Sequence, residues 1–379
     1  MRILFTFIGG SGHFRPLVPV ARAAQAAGHT VAVAGAGGRG SEIAAAGFAA
    51  FATSEPRTRL KAADRGRIEA PDPEADVRQL AEGFARRGAR RHAAAILELA
   101  RTWKPDVLVR DEVDFGTAIA AESLALPCAT VLVLAAGGFL RKEVVAEPLH
   151  ELRSEYRLPP DPELAMLDRH LVLSPFPPSF RNPRFPLPAH TFSFRQTAVS
   201  PAGTVPRTPT VYFTLGTVNN TTELFFRVLA GLQELPVNAI VTVGERIDPA
   251  ELGPLPDHIR VEQFVPQELV LTQCDLVISH GGSGSLMGAL AHGLPSVLIP
   301  LGADQPYNAQ RCLELGTAQV LDPVTVTPEE VRKAVSAVLA DGAYRRAAER
   351  VREEINALPG AEQTIPLLEG LRGSISPRT

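Results

Sequence analysis

The sequence predicts an α/β protein with two domains, each built around a parallel β-sheet. The chain has 379 residues, which is more than one ordinary hydrophobic core contains. Short apolar runs alternate with helical patterns in both halves, and prolines crowd between Leu158 and Pro209, where few helices can continue. Because strands that alternate with helices pair in parallel, we expect two similar domains facing a central cleft.

In the N-terminal half, apolar runs predict buried strands, and apolar residues that return every three or four positions predict helices. The predicted strands are Ile3–Phe7, Thr30–Ala34, Asp106–Val109 and Ala129–Val133. The predicted helices are Phe14–Ala27, Gln79–Trp103 and Phe115–Leu124. The polar stretch from Ser54 to Asp76 has few large apolar residues, which is typical of a surface loop.

A second alternation starts after a stretch rich in Ser, Thr, Gly and Pro. Its predicted strands are Val211–Leu215, Val237–Val243, Ile259–Glu262, Leu276–Ser279 and Ser296–Pro300. Its predicted helices are Glu223–Leu232, Ser285–Ala291, Asn308–Leu315, Pro328–Leu339 and Tyr344–Asn356. We therefore predict domains at residues 1–195 and 210–358, joined by a linker at 196–209. For the tail, 359–379, a helix that packs back on the first domain is left open.

Composition excludes several classes of partner. The net charge of −3 argues against nucleic acid or an anionic membrane, which require a clustered excess of Lys and Arg. Cys128, Cys274 and Cys312 are far apart, so the pattern indicates neither a disulfide framework nor a zinc site. The longest uncharged run, Ser123 to Leu140, is interrupted by a proline and is too short for a spanning helix. A cytoplasmic location is expected.

The strongest motif is the small-residue run from Ser279 to Ser285, SHGGSGS, between a predicted strand and a predicted helix. Small residues at such a turn let backbone N–H groups approach a phosphate, and the helix N-terminus adds partial positive charge. His280 and the serine hydroxyls add further donors. A tight turn whose glycines serve packing alone is the competing interpretation, and a Walker loop is excluded because its lysine is missing.

A second polar motif, Pro300 to Asn308, follows the next strand and reads PLGADQPYN. The carboxylate of Asp304 and the carboxamide of Gln305 together supply the acceptors and donors that sugar hydroxyls require. In isolation Asp304 could equally be the N-cap of the following helix.

Together these two motifs resemble the donor-binding signature of the UDP-glycosyltransferase-like family, and most closely its bacterial members that glycosylate antibiotics and other natural products. Phe213–Thr217 (FTLGT) and Phe264–Gln267 (FVPQ) agree with the same pattern. The resemblance covers nearly the whole chain and is weakest between residues 50 and 200. It implies the GT-B fold, with two Rossmann-like domains and the active site between them.

Position by position, the resemblance implies a complete donor site. Phe264, Val265 and Gln267 would contact the nucleobase and ribose, and Asp304 and Gln305 would hold the sugar hydroxyls. Residues of two turns would surround the diphosphate. Thr217 lies in one turn, and the other contains His280, Gly282, Ser283, Gly284 and Ser285. The chain departs from the family at two positions. Ser285 stands where Thr is frequent, which keeps the hydroxyl, and Phe264 stands where Trp is frequent, which weakens the stack.

The turn after the first strand, GGSGHFRP from Gly9 to Pro16, places His13 at a helix start. A dinucleotide fingerprint fails here, because Arg15 occupies the position of its third glycine. The family uses the matching histidine as its catalytic base. The base needs a carboxylate that fixes its tautomer. Asp111 matches the family position and is preferred, while Asp114 and Glu112 remain alternatives, and a capping role for Asp111 also stays open.

The acceptor is expected in the N-terminal domain, near His13 and the loop after Leu134. The residues predicted to contact it are Gly12, Phe14, Phe139, Phe176 and Phe180. The aromatic segment that ends in Phe185, Phe192 and Phe194 could line the same apolar pocket. All these phenylalanines could equally be ordinary core.

The resulting hypothesis is an inverting glycosyltransferase that moves a deoxysugar or another sugar from a dTDP- or UDP-sugar to a small hydrophobic natural product. It is expected to need neither metal nor cofactor, since the helix N-terminus and neutral donors would meet the charge of the leaving group. A homodimer or an auxiliary activator protein is left open. A GT-B nucleotide-sugar epimerase and a non-catalytic nucleotide-sugar-binding protein remain as alternatives. A cell-wall lipid glycosyltransferase is a third, although the sequence shows no apolar or basic membrane patch of the kind it should carry.

Overall fold

The computed structural model describes residues 1–56, 68–196, 208–216, 222–244 and 247–372. These residues form two compact units. The first contains residues 1–56, 74–196 and 358–372, and the second contains residues 68–73, 208–216, 222–244 and 247–357.

The described part of the first unit holds a seven-stranded sheet in which every pairing is parallel. Its strands are β1 (Arg2–Thr6), β2 (Thr30–Gly35), β3 (Ala49–Ala52), β4 (Val107–Asp111), β5 (Cys128–Val131), β6 (Leu171–Ser174) and β7 (Thr191–Ser193). The spatial order is β3-β2-β1-β4-β5-β6-β7. The chain therefore reverses its direction of travel across the sheet between β1 and β4, and such a switch point opens a crevice at the carboxyl ends of the strands.

Helices cover both faces of this sheet. They are α1 (Ser11–Phe14), α2 (Val18–Ala26), α3 (Gly40–Ala45), α4 (Pro73–Leu80), α5 (Ala89–Trp103), α6 (Phe115–Leu124) and α7 (Lys142–Glu155). A 3-10 turn, Arg15–Leu17, joins α1 to α2, and a π-helical segment, Ala81–Gly88, joins α4 to α5. Side chains alternate along β1: Phe5 packs in the core that holds Val20 of α2, and Leu4 packs in the core that holds Ile96 of α5.

The second unit repeats the plan with a six-stranded sheet, again parallel at every described pairing. Its strands are β8 (Thr210–Thr214), β9 (Asn238–Thr242), β10 (Ile259–Glu262), β11 (Leu276–Ser279), β12 (Ser296–Leu298) and β13 (Ala318–Val320). The order is β10-β9-β8-β11-β12-β13, so its switch point lies between β8 and β11. Its helices are α8 (Thr222–Gln233), α9 (Gln267–Leu271), α10 (Ser283–Ala291), α11 (Gln305–Leu315), α12 (Pro328–Ala340) and α13 (Gly342–Ala357).

The end of the chain returns to the first unit. Helix α14 (Thr364–Leu371) places Ile365 and Leu368 in the same core as Phe5 and Val20. Glu369 lies 3.1 Å from Nε2 of His29. The tail thus contains the helix that the sequence left open.

Every predicted strand exists, with ends that differ by at most two residues, and most predicted helices begin and end within three residues of their predicted limits. The predicted helix Phe14–Ala27 is interrupted, because a 3-10 turn spans Arg15–Leu17 and only Val18–Ala26 forms α2. The predicted helix Gln79–Trp103 was wrong over residues 79–88, which are the end of α4 and the π-helical segment, whereas Ala89–Trp103 forms α5. Short elements were missed, among them β3, β7 and β13, because three or four residues carry too little periodicity. Most of the predicted linker, residues 197–207, and residues 57–67 of the predicted loop lie outside the described residues.

Candidate active site

The switch point of the first unit brings a histidine and a carboxylate together. His13 lies in α1, directly after the glycine turn that follows β1. Its backbone N–H donates to the carbonyl of Gly10 at 3.0 Å. Asp111 is the last residue of β4, the strand next to β1. Nδ1 of His13 lies 3.5 Å from Oδ2 of Asp111. The imidazole is 24% exposed while the carboxylate is fully buried.

Backbone N–H groups hold the buried carboxylate of Asp111 in place. Oδ2 accepts a hydrogen bond from the N–H of Ile8 at 2.8 Å, and Oδ1 accepts from Val113 at 2.7 Å and Asp114 at 2.9 Å. Three backbone N–H donors fix the orientation of this carboxylate. The capping alternative for Asp111 is wrong, because Asp114 is the N-cap of the next helix, α6. The Asp111 oxygen bonded to Ile8 is instead the one nearest the imidazole.

The two competing carboxylates point elsewhere. Asp114 caps α6 through the N–H of Thr117 and accepts the hydroxyl of Thr6 at 2.6 Å. It also lies 3.3 Å from Nε2 of His92, a buried histidine for which the sequence offered no partner. Glu112 accepts the N–H groups of Val133 and Leu134, and burial raises the pKa of its carboxyl. The carboxylates of Asp111, Glu112 and Asp114 therefore have three different sets of hydrogen-bond partners.

In the second unit, the run from Ser279 to Ser285 forms the predicted strand-to-helix turn. Gly281 has φ +81°, a backbone conformation that favours glycine, and its N–H donates to Oγ of Ser279 at 3.2 Å. Helix α10 starts at Ser283, and its N-cap residue, Gly282, has no side chain to cap the first N–H groups of the helix. The first N–H groups of a helix lack intrahelical partners, so this end is chemically suited to an anion.

The ring of His280 lies against two glycines, Gly282 of this turn and Gly216, which follows strand β8. A Cβ built on Gly216 would approach Cε1 of His280 to 2.7 Å, and one on Gly282 would approach Nε2 to 2.5 Å. Nδ1 is buried without a hydrogen-bond partner among the described residues. Desolvation lowers the pKa of His280 from 6.5 to about 4, so the ring is neutral at physiological pH and offers one N–H.

Asp304 stands at the N-cap position of α11, but no side-chain cap bond forms there. Its Oδ2 instead accepts the hydroxyl of Ser283 at 2.6 Å and Nδ2 of Asn308 at 2.8 Å. The fully buried Asn308 also reaches the carbonyl of Gly281 at 2.9 Å and Oγ of Ser283 at 3.2 Å. The turn Ser279–Ser285 and the motif that carries Asp304 thus form one hydrogen-bonded unit. They are joined by Asn308, to which the sequence analysis gave no role.

Two other residues that were predicted to bind the nucleotide-sugar already form hydrogen bonds within the chain. Oε1 of Gln305 accepts the N–H of Leu301 at 2.7 Å, and Nε2 of Gln267 donates to the carbonyl of Ser285 at 3.0 Å. Each carboxamide therefore has one end committed to holding a loop. Phe264, by contrast, is 61% exposed, which leaves a ring face to the solvent as base stacking requires.

The predicted acceptor residues divide by exposure. Gly12 is exposed, and a Cβ placed there would meet no atom within 4 Å. Phe14 is only 2% exposed and packs with Phe7 at a ring distance of 5.3 Å. Phe139, Phe176, Phe180 and Phe194 are buried as well. Burial favours the core alternative for these phenylalanines, while Phe185 and Phe192 keep partial exposure.

Three remaining expectations concern Thr217, metal binding and membrane-spanning helices. Thr217 lies outside the described residues. Among the residues that are described, no group of three or more His, Cys, Asp or Glu side chains could hold a metal ion. No helix in the described ranges combines the length and apolarity needed to cross a bilayer.

Comparisons with known proteins agree with this architecture. Residues 226–371 match the model of the erythromycin biosynthesis protein CIII-like C-terminal domain. Over 98% of its length the chain is 27% identical to the aclacinomycin-T 2-deoxy-L-fucose transferase of Streptomyces galilaeus, covering 96% of that enzyme. A demethyllactenocin mycarosyltransferase of Streptomyces fradiae is 35% identical over 43% of this chain, which spans only 36% of that relative.

Solved structures extend the likeness to the whole chain. The spinosyn rhamnosyltransferase SpnG, complexed with thymidine diphosphate, superposes with a TM-score of 0.80 at 25% identity, covering 97% of this chain and 100% of SpnG. The chain has the GT-B fold, and it is a glycosyltransferase. The match of residues 226–371 to the erythromycin biosynthesis protein CIII-like C-terminal domain confirms the resemblance to bacterial antibiotic glycosyltransferases.

Proposed function

We propose that the protein transfers a deoxysugar from a dTDP- or UDP-sugar to a hydrophobic natural-product aglycone with inversion at the anomeric carbon. The observation that carries the proposal is the pair formed by His13 and the buried, backbone-held Asp111. Relatives named as transferases of 2-deoxy-L-fucose and mycarose support the sugar class, and the thymidine diphosphate in SpnG supports the donor class.

His13 is the proposed general base. With Nδ1 directed at Asp111, the neutral ring carries its proton on Nδ1, which leaves the lone pair of Nε2 for the acceptor hydroxyl. The acceptor oxygen loses its proton to Nε2 as it forms the new bond to the anomeric carbon. The bond from that carbon to the diphosphate oxygen breaks on the opposite face, so the configuration inverts. Asp111 stabilises the imidazolium that results.

The second unit is proposed to bind the donor. The N-terminus of α10, the N–H of neutral His280 and the hydroxyl of Ser285 would face the diphosphate, and their donors are fixed before the reaction starts. Asp304, oriented by Ser283 and Asn308, would accept hydrogen bonds from sugar hydroxyls. Phe264 would stack on the base. In this proposal no metal ion takes part.

The test is a product assay. The purified protein is incubated with a panel of dTDP- and UDP-sugars and with macrolide, anthracycline and other polyketide aglycones, in EDTA-treated buffer. We expect an acceptor mass increase of one sugar, with inverted anomeric configuration by NMR and turnover within about twofold of a Mg²⁺-containing reaction. Retention of configuration, an absolute metal requirement, or isomerised nucleotide-sugar without a glycosylated acceptor would each contradict the proposal.

A further inference from the structure

An aromatic side chain that the sequence analysis did not single out lies against the proposed base. The ring of Phe84 stacks on the imidazole of His13, with 5.8 Å between ring centroids and 22° between ring planes. Phe84 is partly exposed, unlike the neighbouring Phe14, which is buried in the core. The sequence places Phe84 inside a long predicted helix, where nothing distinguishes it from a packing residue.

An irregular helix presents this ring. Phe84 belongs to the π-helical segment Ala81–Gly88, and π-helical turns are rare and concentrate at functional sites. A Cβ on Gly88 would lie 2.8 Å from the carbonyl oxygen of Gly83 and 2.8 Å from Cδ1 of Ile8. Glycine therefore permits both the wide turn and its close approach to Ile8. The N–H of Ile8 is itself a donor to Asp111, so the segment packs directly on the loop that carries the base.

The imidazole is bounded on three sides. Asp111 faces Nδ1, Phe84 covers a ring face, and a Cβ on Gly9 would lie 2.8 Å from Cδ2. Any side chain at Gly9, whose φ is +113°, would collide with the ring. The partly exposed edges of His13 and Phe84 are therefore neighbours, and a hydroxyl that reaches the imidazole brings the carbon skeleton beside it onto the phenyl ring.

We propose that Phe84 is a positioning residue for His13 and an acceptor-contacting residue that selects hydroxyls set in an apolar carbon framework. The proposal rests on the proposed function, because it assumes that His13 receives the acceptor proton. The ring restricts rotation of the imidazole about its side-chain bonds and excludes water from one face. It also buries hydrocarbon of the acceptor next to the reacting oxygen.

Steady-state kinetics of Phe84→Leu and Phe84→Tyr test it, with Phe51→Leu as the matched control. Phe51 is also partly buried in the first unit but packs beside Leu4 and Ile96. We expect Phe84→Leu to lower kcat/KM for the acceptor by roughly 10- to 100-fold, because small displacements of a base are costly, and to leave donor KM within about twofold. Phe84→Tyr keeps the ring and should remain within about threefold of wild type.

A direct structural readout separates positioning from general damage. In a protein with labelled histidines, assigned with His13→Ala, loss of the phenyl ring current should move the His13 Cε1–H or Cδ2–H resonance in Phe84→Leu and leave it in place in Phe51→Leu. An unmoved resonance or wild-type kinetics in Phe84→Leu would overturn the inference. If His13→Ala itself retains turnover, the proposed function fails first. Crippled His13→Ala beside normal Phe84→Leu refutes this inference alone.

Discussion

The two glycine-rich turns of this protein lie at the switch points of their sheets, on opposite sides of them, and treat their histidines in opposite ways. Each turn follows a central strand at the switch point of a parallel sheet, β1 in the first unit and β11 in the second. The Nδ1 atom of His13 lies 3.5 Å from the buried carboxylate of Asp111. Desolvation between two glycines keeps His280 neutral. The same residue type thus becomes suited to accepting a proton in one turn and to donating a hydrogen bond in the other.

Replacing each histidine in turn is the most direct test of the comparison, because the two variants should impair different steps. His13→Ala should lower turnover by about 10²–10⁴-fold, the usual contribution of a general base, and leave donor affinity within about twofold. His280→Ala should instead weaken donor binding. Single-turnover kinetics and calorimetric titration of the nucleotide measure the two effects. The exposed His190→Ala is the control, and a His13→Ala enzyme within a few-fold of wild type would refute the assignment.

Stability against pH tests the neutral state of His280. Its pKa of about 4 in the folded chain lies below the ordinary value of 6.5, so the unfolded chain binds a proton first as pH falls. The free energy of unfolding should therefore fall by about 3 kcal/mol through this histidine between pH 7.5 and pH 4, a shift of one pKa unit being worth about 1.4 kcal/mol. Urea unfolding of wild type and His280→Gln across this range isolates the effect. Parallel pH dependences in the two proteins would contradict it.

Asn308 tests whether the second turn works as one hydrogen-bonded unit. Asn308→Ala removes a buried donor from Asp304 and Gly281, which should cost about 1–3 kcal/mol of stability. We also expect donor KM to rise by roughly 10-fold, since each 1.4 kcal/mol lost from binding is tenfold in affinity. Asn238→Ala, at an exposed position of β9, should change neither quantity. A destabilised variant with unchanged donor KM would limit Asn308 to a folding role.

Replacing single glycines of the second turn by alanine should have the smallest and most selective effects on stability and donor binding. A Cβ at Gly284 meets no protein atom within 4 Å, so Gly284→Ala should leave stability unchanged or raise it by up to about 1 kcal/mol in the helix. Donor affinity should nevertheless fall, because the added methyl group occupies space proposed for the diphosphate. Gly282→Ala should destabilise the fold by about 1–3 kcal/mol through its contact with His280. Thermal melts with and without nucleotide distinguish the two, and unimpaired binding by Gly284→Ala would count against the phosphate site.

Local patterns predicted much of this protein. The alternation of strands and helices is written in short-range periodicity, and helix α6 (Phe115–Leu124) and strands β10 and β11 have the predicted limits. The turn at Ser279–Ser285 was also foreseeable, since only small residues allow a close backbone approach. Aromatic residues were harder to place: Phe14 and Phe180 are buried although both were predicted to contact the acceptor. An apolar side chain suits a pocket wall and a core equally, so its residue type cannot decide between them.

By itself the sequence determined the two parallel-sheet units, the two glycine turns and the residue types that bear their chemistry, because each depends on neighbours within a few positions. The tertiary structure alone decided that Asp111, rather than Asp114 or Glu112, faces His13. It also decided that Asn308 joins two motifs and that a π-helical turn brings Phe84 to the imidazole. These contacts link segments far apart in the chain, and their geometry follows from strand register and helix packing, which no local pattern specifies.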